Sequence, residues 1–86
     1  MDTRVAVISI IVSKEEAVEK LNNLLHNYAK YIIGRMGLPY RAKNVNIICV
    51  AVDAPNDTIS ALSGNLGSID GVRVNTAYSN VIGSEK

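Results

Sequence analysis

The sequence contains little of what most catalytic and metal sites are built from. Among its 86 residues there is one cysteine, one histidine, no tryptophan and no phenylalanine. A single cysteine excludes an intramolecular disulfide framework and a four-cysteine metal centre. The lone histidine, His26, has no second histidine with which to share a metal ion. We therefore expect Cys49 to be a small apolar residue packed in a strand, and His26 to be an ordinary surface residue.

A strong charge bias is also absent. Lysine and arginine together number nine, aspartate and glutamate number eight, and the net charge is +1. Proteins that bind nucleic acid depend on clustered lysine and arginine to displace counterions. Sheets that bind single-stranded RNA usually carry exposed aromatic side chains on their central strands. We therefore expect no direct binding of nucleic acid.

Long hydrophobic runs are absent as well. The apolar run near the N terminus, Val5–Val12, covers about eight residues, whereas a membrane-spanning helix needs about 20. No small-residue cleavage site follows it, so it does not resemble a secretory signal. A single thiol in an apolar segment fits a reducing compartment. These features favour one cytoplasmic domain with no membrane segment.

What is present is a regular alternation of strand-like and helix-like segments. Two segments rich in β-branched residues, Val5–Val12 and Val45–Asp53, predict buried strands. An apolar stripe at helical spacing predicts a helix after the first of them. Ser13 and Glu16 are predicted to form a capping box at the start of this helix. The helix is expected to end near Ala29–Tyr31.

The segment YIIGRMGLPYR, residues 31–41, determines the predicted architecture. Gly34, Gly37 and Pro39 occur too close together for the helix to continue through them. The segment is therefore predicted to be an edge strand, Ile32–Arg41. A turn over residues 42–44 then leads into the second central strand.

A second helix and a last strand complete the order. Asn56 is the predicted N-cap of that helix, and Asp57 in its first turn complements the helix dipole. Val72–Tyr78 is the predicted last strand. The order β-α-β-β-α-β with right-handed crossovers predicts an α+β, ferredoxin-like sandwich whose antiparallel sheet has the order 4-1-3-2. The domain is predicted to span residues 1–79, followed by a flexible tail over 80–86.

Both faces of the two central strands are apolar in this arrangement. An antiparallel sheet with one face in water should instead alternate apolar with polar residues. Exposed apolar patches usually mark a contact site for a partner. We therefore predict a homo-oligomer, a dimer or a dimer of dimers, that covers the second sheet face or its edge. The alternative interpretation is a simple enrichment of central strands in β-branched residues.

Arg35 and Arg41 are the strongest candidates for ligand-binding residues. On a strand of period two they share one face, with glycine between them, and could hold a carboxylate or phosphate bidentately. Tyr40 and Asn56 are included with them as candidate ligand-binding residues. The competing interpretations are edge charges that discourage aberrant strand pairing, for the arginines, and helix capping, for Asn56.

Spacings typical of catalysis or metal binding are not found. The sequence offers no nucleophile–base pair, no pair of carboxylates and no metal-ligand spacing. We therefore expect no cofactor, no metal and no enzymatic activity. The alternative is a small enzyme that acts on an anionic substrate bound by Arg35 and Arg41.

Three segments together resemble a known family. They are IIGRMGLPYR, VDAPNDTISALSGNLG and GVRVNTAYS, at residues 32–41, 52–67 and 71–79. They resemble a small ACT-like family of regulators of the iron-only hydrogenase system, similar in fold to the C-terminal regulatory domain of the nickel-responsive repressor. The resemblance implies a ferredoxin-like fold, oligomerisation through the sheet and a regulatory role, such as transcriptional regulation. Together with Arg35 and Arg41, this role predicts a module that acts through a protein partner or a small anionic ligand.

This chain lacks the ligand-binding motifs of three related families, which limits the ligands that we expect it to bind. The repressor binds nickel through several histidines and a cysteine near its central hairpin, whereas residues 32–53 contain Cys49 and no histidine. Amino-acid-sensing ACT domains carry a glycine or proline in the loop after the first strand. This chain has Val12–Glu15 there, which weighs against amino-acid sensing. The phosphate-cradling loop of acylphosphatases is also missing at this position.

Overall fold

Four strands and two helices make up residues 2–84, the part of the chain that the computed structural model describes, with side chains described as far as residue 80. Short 3-10 turns at Ala29–Tyr31 and Arg41–Lys43 flank the second strand. The main elements are β1 (Asp2–Val12), α1 (Ala17–Asn27), β2 (Ile32–Tyr40), β3 (Val45–Ala54), α2 (Asn56–Gly67) and β4 (Val72–Ser84).

The strands form one antiparallel sheet in the order β2-β3-β1-β4. This is the predicted order 4-1-3-2 read from the opposite edge, so the prediction of an α+β fold with β1 and β3 in the centre is confirmed. Val7, in the middle of β1, lies opposite Ala51 on β3 and opposite Ala77 on β4. The β-branched composition of β1 and β3 suits strands with neighbours on both sides.

The hydrophobic core lies between the helices and one face of the sheet. Alternate residues of β1, from Ala6 to Val12, face the helices and are at most 1% exposed. On α2, Ile59, Leu62 and Leu66 recur at helical spacing and are buried against the sheet. The helices and β3 contribute Ala17, Leu21, Leu25, Ile48, Val50, Val52, Ile59, Leu62 and Leu66.

The predicted capping box at the start of α1 is wrong. The backbone N–H and the hydroxyl of Ser13 both donate hydrogen bonds to the carbonyl of Gly71, at 2.8 and 3.2 Å. Ser13 therefore ties the end of β1 to the start of β4 and does not cap the helix. Glu16 occupies the N-cap position without a side-chain cap bond. The sequence could not show that a distant carbonyl competes for the Ser13 hydroxyl.

The predicted N-cap of α2 is also wrong, by one residue. Pro55 occupies the N-cap position, and Asn56 is the first residue of the helix. Proline fits here because its fixed φ and missing N–H suit the start of a helix. Asp57 lies in the first turn, as predicted.

Two strand ends differ from the prediction. β2 ends at Tyr40, so Arg41 begins a 3-10 turn that closes at Asn44 with a left-handed φ of 58°. Asparagine tolerates this conformation better than most residues. The backbone of β4 pairs with β1 as far as Ser84, beyond the predicted domain boundary at residue 79. The flexibility of segment 80–86 stays a prediction, and residues 85 and 86 lie outside the described residues.

A β-bulge at the start of β2 changes which residues share a face. Ile32 lies opposite Val52 and Arg35 lies opposite Val50, although a regular strand would keep residues three apart on different faces. The register shifts directly after Ile32, and Ile33 is the extra residue, 62% exposed. The bulge therefore places both Ile32 and Arg35 on the side of the sheet that carries the helices.

Gly71 is the position at which the fold requires glycine. Its φ is +87°, and an added Cβ would lie 2.7 Å from the Cβ of Lys14. We expect Gly71→Ala to lower the free energy of unfolding by about 1–3 kcal/mol, because the residue is both strained and crowded. Urea denaturation measures this change.

Gly64→Ala is the matched control for that variant. Gly64 lies within α2, and nothing approaches within 4 Å of the position of an added Cβ. The control should raise the free energy of unfolding by about 0.5–1 kcal/mol, because alanine favours a helix more than glycine does. Equal destabilisation by both substitutions would contradict the specific role of Gly71.

Candidate functional site

Two clefts open on the helix-bearing side of the sheet, near opposite ends of α1. The larger, which we call the corner cleft, measures about 700 Å³ and lies between the start of α1 and the turn from β2 to β3. The smaller, which we call the bulge pocket, measures about 310 Å³ and lies between the second half of α1 and the start of β2. The corner cleft is lined mainly by polar residues, including Glu15, Glu19, Asn23, Tyr40, Arg41 and Asn44.

The two cationic side chains that line the corner cleft, Lys14 and Arg41, differ in whether they can bind a ligand. Lys14 also lines it, but its ammonium lies 2.6 Å from a carboxylate oxygen of Asp70. Among the described residues Arg41 forms no ion pair, so its guanidinium is the cation available to a ligand. Glu15 and Glu19 contribute negative charge to the same cleft. The arrangement suits a small ligand with one anionic group, since the two carboxylates repel a multiply charged anion.

The pair Lys14–Asp70 joins the loop after β1 to the turn before β4. The hydrogen bond between the two side chains, followed by their mutual attraction, raises the pKa of Lys14 and lowers the pKa of Asp70. The contribution of Asp70 to stability is present above its ordinary pKa of about 3.9 and is lost as the pH falls through the lowered value. The contribution of Lys14 is present below about pH 10.4 and is lost as the pH rises through the raised value.

We expect Asp70→Asn to reduce the urea midpoint slightly near pH 7, and to have less effect as the pH falls below about 4. Both side chains are exposed, so the effect should be small and should shrink in high salt. A double-mutant cycle with Lys14→Gln provides the control. If Asp70→Asn destabilises the Lys14→Gln protein as much as the wild type, the ion pair is not the cause.

The bulge pocket combines α1 with the bulged start of β2. Asn22, His26 and Arg35 are its polar lining residues, beside apolar Leu25 and Ile32. The guanidinium of Arg35 donates a hydrogen bond from Nη2 to Oδ1 of Asn22 at 3.0 Å. Sequence reasoning placed His26 on a plain surface and missed this pocket. The signal that could have shown it is the helical spacing of residues 22, 25, 26 and 29, which share one side of a helix.

The structure separates the predicted ligand-binding residues. Tyr40 and Arg41 line the corner cleft, whereas Arg35 lines the bulge pocket. Arg35 and Arg41 are six residues apart along an extended segment, which places their Cα atoms roughly 20 Å apart. The two guanidiniums therefore do not flank one small site. Asn56 begins α2 at the opposite end of β3 from the corner cleft, so it joins neither group.

The sheet face turned away from the helices is largely apolar, and we call it the open face. On β1 it carries Val5, Val7 and Ile11, which are 38–47% exposed. On the edge strand β2 it carries Met36 and Leu38, which are 66% and 59% exposed. On β3, Ile47 is exposed, and Cys49 and Ala51 are half-buried. Neither described helix covers this face, and the predicted apolar composition of both sheet faces is confirmed.

No assembled metal centre or membrane segment accompanies these surfaces. Within residues 2–84 no group of three or more histidine, cysteine, aspartate or glutamate side chains is placed to hold a metal ion. In the same range no helix has the length and apolar character needed to cross a membrane.

The fold and the two polar clefts define a class: a small α+β domain in which two helices cover one face of a four-stranded antiparallel sheet. A family model described as "TM1266-like: Iron-only hydrogenase system regulator, putative" matches residues 4–76. The chain belongs to this family, which confirms the assignment to the hydrogenase-system regulators that was made from the three sequence segments.

A solved structure supports the same grouping. The chain is similar to the uncharacterized protein TM1266 from Thermotoga maritima, with 44% sequence identity and a TM-score of 0.85. The similarity covers 88% of this chain and 96% of that chain. No curated protein matches the chain.

Proposed function

We propose that the chain is a regulatory, ligand-sensing module of the iron-only hydrogenase system that acts as a homo-oligomer and has no catalytic activity of its own. Membership of the regulator family supports the regulatory role. The element order β-α-β-β-α-β and the sheet order support an ACT-like, ferredoxin-like module. Its signal is a small anionic ligand or a protein partner.

The open face is the observation that carries the homo-oligomer. Val7, Ile11 and Ile47 lie on the central strands of this face, and all three are more than a third exposed. Met36 and Leu38 extend the apolar surface onto the edge strand. Apolar surface left in water is unfavourable by about 25 cal/mol per Å². A continuous patch of this kind favours a permanent partner over isolated exposed side chains.

A second copy of the chain suits this face in size and charge. The two longest dimensions of the domain are 42 and 19 Å. A face of that size approaches the ~800 Å² that each partner contributes to a typical stable interface. By register the face carries Asp53 near one end of β1 and Arg73 near the other, opposite Val5 and Ile11. A two-fold axis lying in the interface lets each carboxylate meet the guanidinium of the other copy.

We expect Met36→Glu to shift the protein toward the monomer, because a charge placed on an apolar interface must lose its hydration. Sedimentation velocity at micromolar concentration measures the shift. Ala61→Glu is the control, since Ala61 is an exposed apolar residue on α2, on the opposite side of the sheet from the open face. A wild-type monomer at tens of micromolar, or equal dissociation of both variants, would contradict the proposed interface.

We place the small anionic ligand in the corner cleft, with Arg41 as its cation and Tyr40 as a neighbouring contact. The guanidinium of Arg41 offers five N–H donors and stays charged at neutral pH. The cleft lies on the helix side of the sheet, so ligand and second copy use different surfaces. Asn56 remains a candidate ligand residue at the start of α2, apart from this cleft.

A thermal-shift panel of the singly charged anions formate, nitrate and glycolate tests the corner cleft. An anion present at ten times its Kd should stabilise the wild type by about 1.4 kcal/mol, which corresponds to several degrees in Tm. Arg41→Ala should lose this shift. Lys43→Ala, the control, should keep it, because Lys43 lies in the same turn but does not line the cleft. The assignment of Arg41 is wrong if Arg41→Ala keeps the full shift.

A further inference from the structure

The bulge pocket has the size and lining of a separate ligand site. Its volume of about 310 Å³ lies at the lower end of the range of roughly 300–1,000 Å³ typical of small-molecule sites. Such sites combine an apolar wall with a few polar groups that fix the orientation of the ligand. The bulge pocket has this composition, and it shares only one lining residue, Asn22, with the corner cleft.

The apolar part of the pocket is its floor. Leu25 is 1% exposed, so its side chain is part of the core that the pocket opens onto. Ile32 is partly buried and packs against the same core. Ala29 completes this part of the lining, and its short side chain leaves room above the floor. The floor suits a short apolar chain of a few carbon atoms.

The polar part of the pocket carries positive charge without negative charge. Arg35, His26 and Asn22 are its polar lining residues, and no aspartate or glutamate is among the residues that line it. In this respect it differs from the corner cleft, where Glu15 and Glu19 lie beside Arg41. An anionic group is therefore attracted to the bulge pocket without opposition from its lining.

Two local features of the fold bring the lining residues of the bulge pocket together: the spacing of residues along α1 and the bulge in β2. Residues 22, 25, 26 and 29 recur at i, i+3, i+4 and i+7, so they share one side of α1 and its following turn. The bulge at Ile33 then turns Arg35 to the same sheet side as Ile32. Bulges often redirect a side chain beside a functional site. Without the bulge, one of these two β2 side chains would lie on the open face.

Asn22 orients the guanidinium of Arg35. Its Oδ1 accepts one N–H from Nη2 at 3.0 Å, which leaves four of the five guanidinium donors for other partners. His26 follows Asn22 by one helical turn and lines the same pocket. Arg35 can therefore hold a carboxylate through two N–H donors while remaining bonded to α1.

We propose that the bulge pocket binds a small monocarboxylate with a short aliphatic chain, with the carboxylate between Arg35 and His26 and the chain on Leu25 and Ile32. The apolar floor favours a carboxylate over inorganic phosphate, which has no apolar part. This inference rests on the ligand-sensing part of the proposed function. It depends neither on the second copy nor on the corner cleft.

Sodium butyrate is the probe for this site, and its neutral isostere butyramide is the comparison. In a two-dimensional ¹H–¹⁵N NMR titration at constant ionic strength, butyrate should shift amides at residues 22–35. Butyramide should bind at least tenfold more weakly, because it lacks the charge that Arg35 recognises. The proposal fails if butyramide binds as tightly as butyrate, or if the butyrate shifts map to residues 39–46 of the corner cleft.

Variants then assign the binding to named side chains. Arg35→Gln should weaken butyrate at least tenfold, His26→Gln should weaken it less, and Lys43→Gln should leave it unchanged. Arg35 is exposed, and unchanged amide positions outside the pocket confirm that the variant is folded. Full affinity in Arg35→Gln overturns the proposal.

Ile47→Glu distinguishes this inference from the proposed assembly. That substitution lies on the open face of β3, and Ile47 does not line the pocket, so the variant should keep the wild-type affinity for butyrate whatever its oligomeric state. If its affinity falls tenfold, the pocket requires the assembled protein, and the proposal of a site within one chain is wrong.

Discussion

The packing of two helices onto one face of β1 positions the rest of the domain. β1 is hydrogen-bonded on both sides, to β3 and to β4, and its helix-facing residues Ile8 and Ile10 are completely buried. Both candidate clefts lie where a helix ends or a neighbouring strand bends away from this core. Because two helices provide only one covering layer, the same constraint leaves the opposite sheet face uncovered. The clefts and the open face thus have one physical origin.

The architecture could be predicted from the sequence because the patterns that indicate helices and strands are long and periodic. The β-branched segments predicted both central strands, and Gly34, Gly37 and Pro39 separated β2 from α1. The start of α1 was mispredicted because the hydroxyl of Ser13 bonds to Gly71, 58 residues later. A local capping rule does not include such a distant acceptor, and the same limit affected the end of β4, whose last residues pair with the first residues of β1.

The candidate sites were less accessible to sequence reasoning. A strict period of two placed Arg35 and Arg41 on one face, but the strand ends before Arg41 and is bulged before Arg35. A bulge is one extra residue whose position depends on the pairing partner, so the sequence of β2 alone does not reveal it. Tyr40 and Arg41 line the same cleft because they are adjacent in the chain. The pocket beside His26 was missed because Arg35, which lines the same pocket, comes from another element.

The hydrogen bonds of Ser13 to Gly71 connect the wall of the corner cleft with the edge strand β4. Ser13 and Lys14 form part of the wall of the corner cleft, and Asp70 and Gly71 immediately precede β4, whose residues extend the open face. A displacement of the Ser13 backbone would lengthen its hydrogen bond to the carbonyl of Gly71, the residue directly before that edge strand. The wall of the corner cleft and the edge strand β4 are therefore joined by these hydrogen bonds and by the ion pair Lys14–Asp70, with the crowded Gly71 between them.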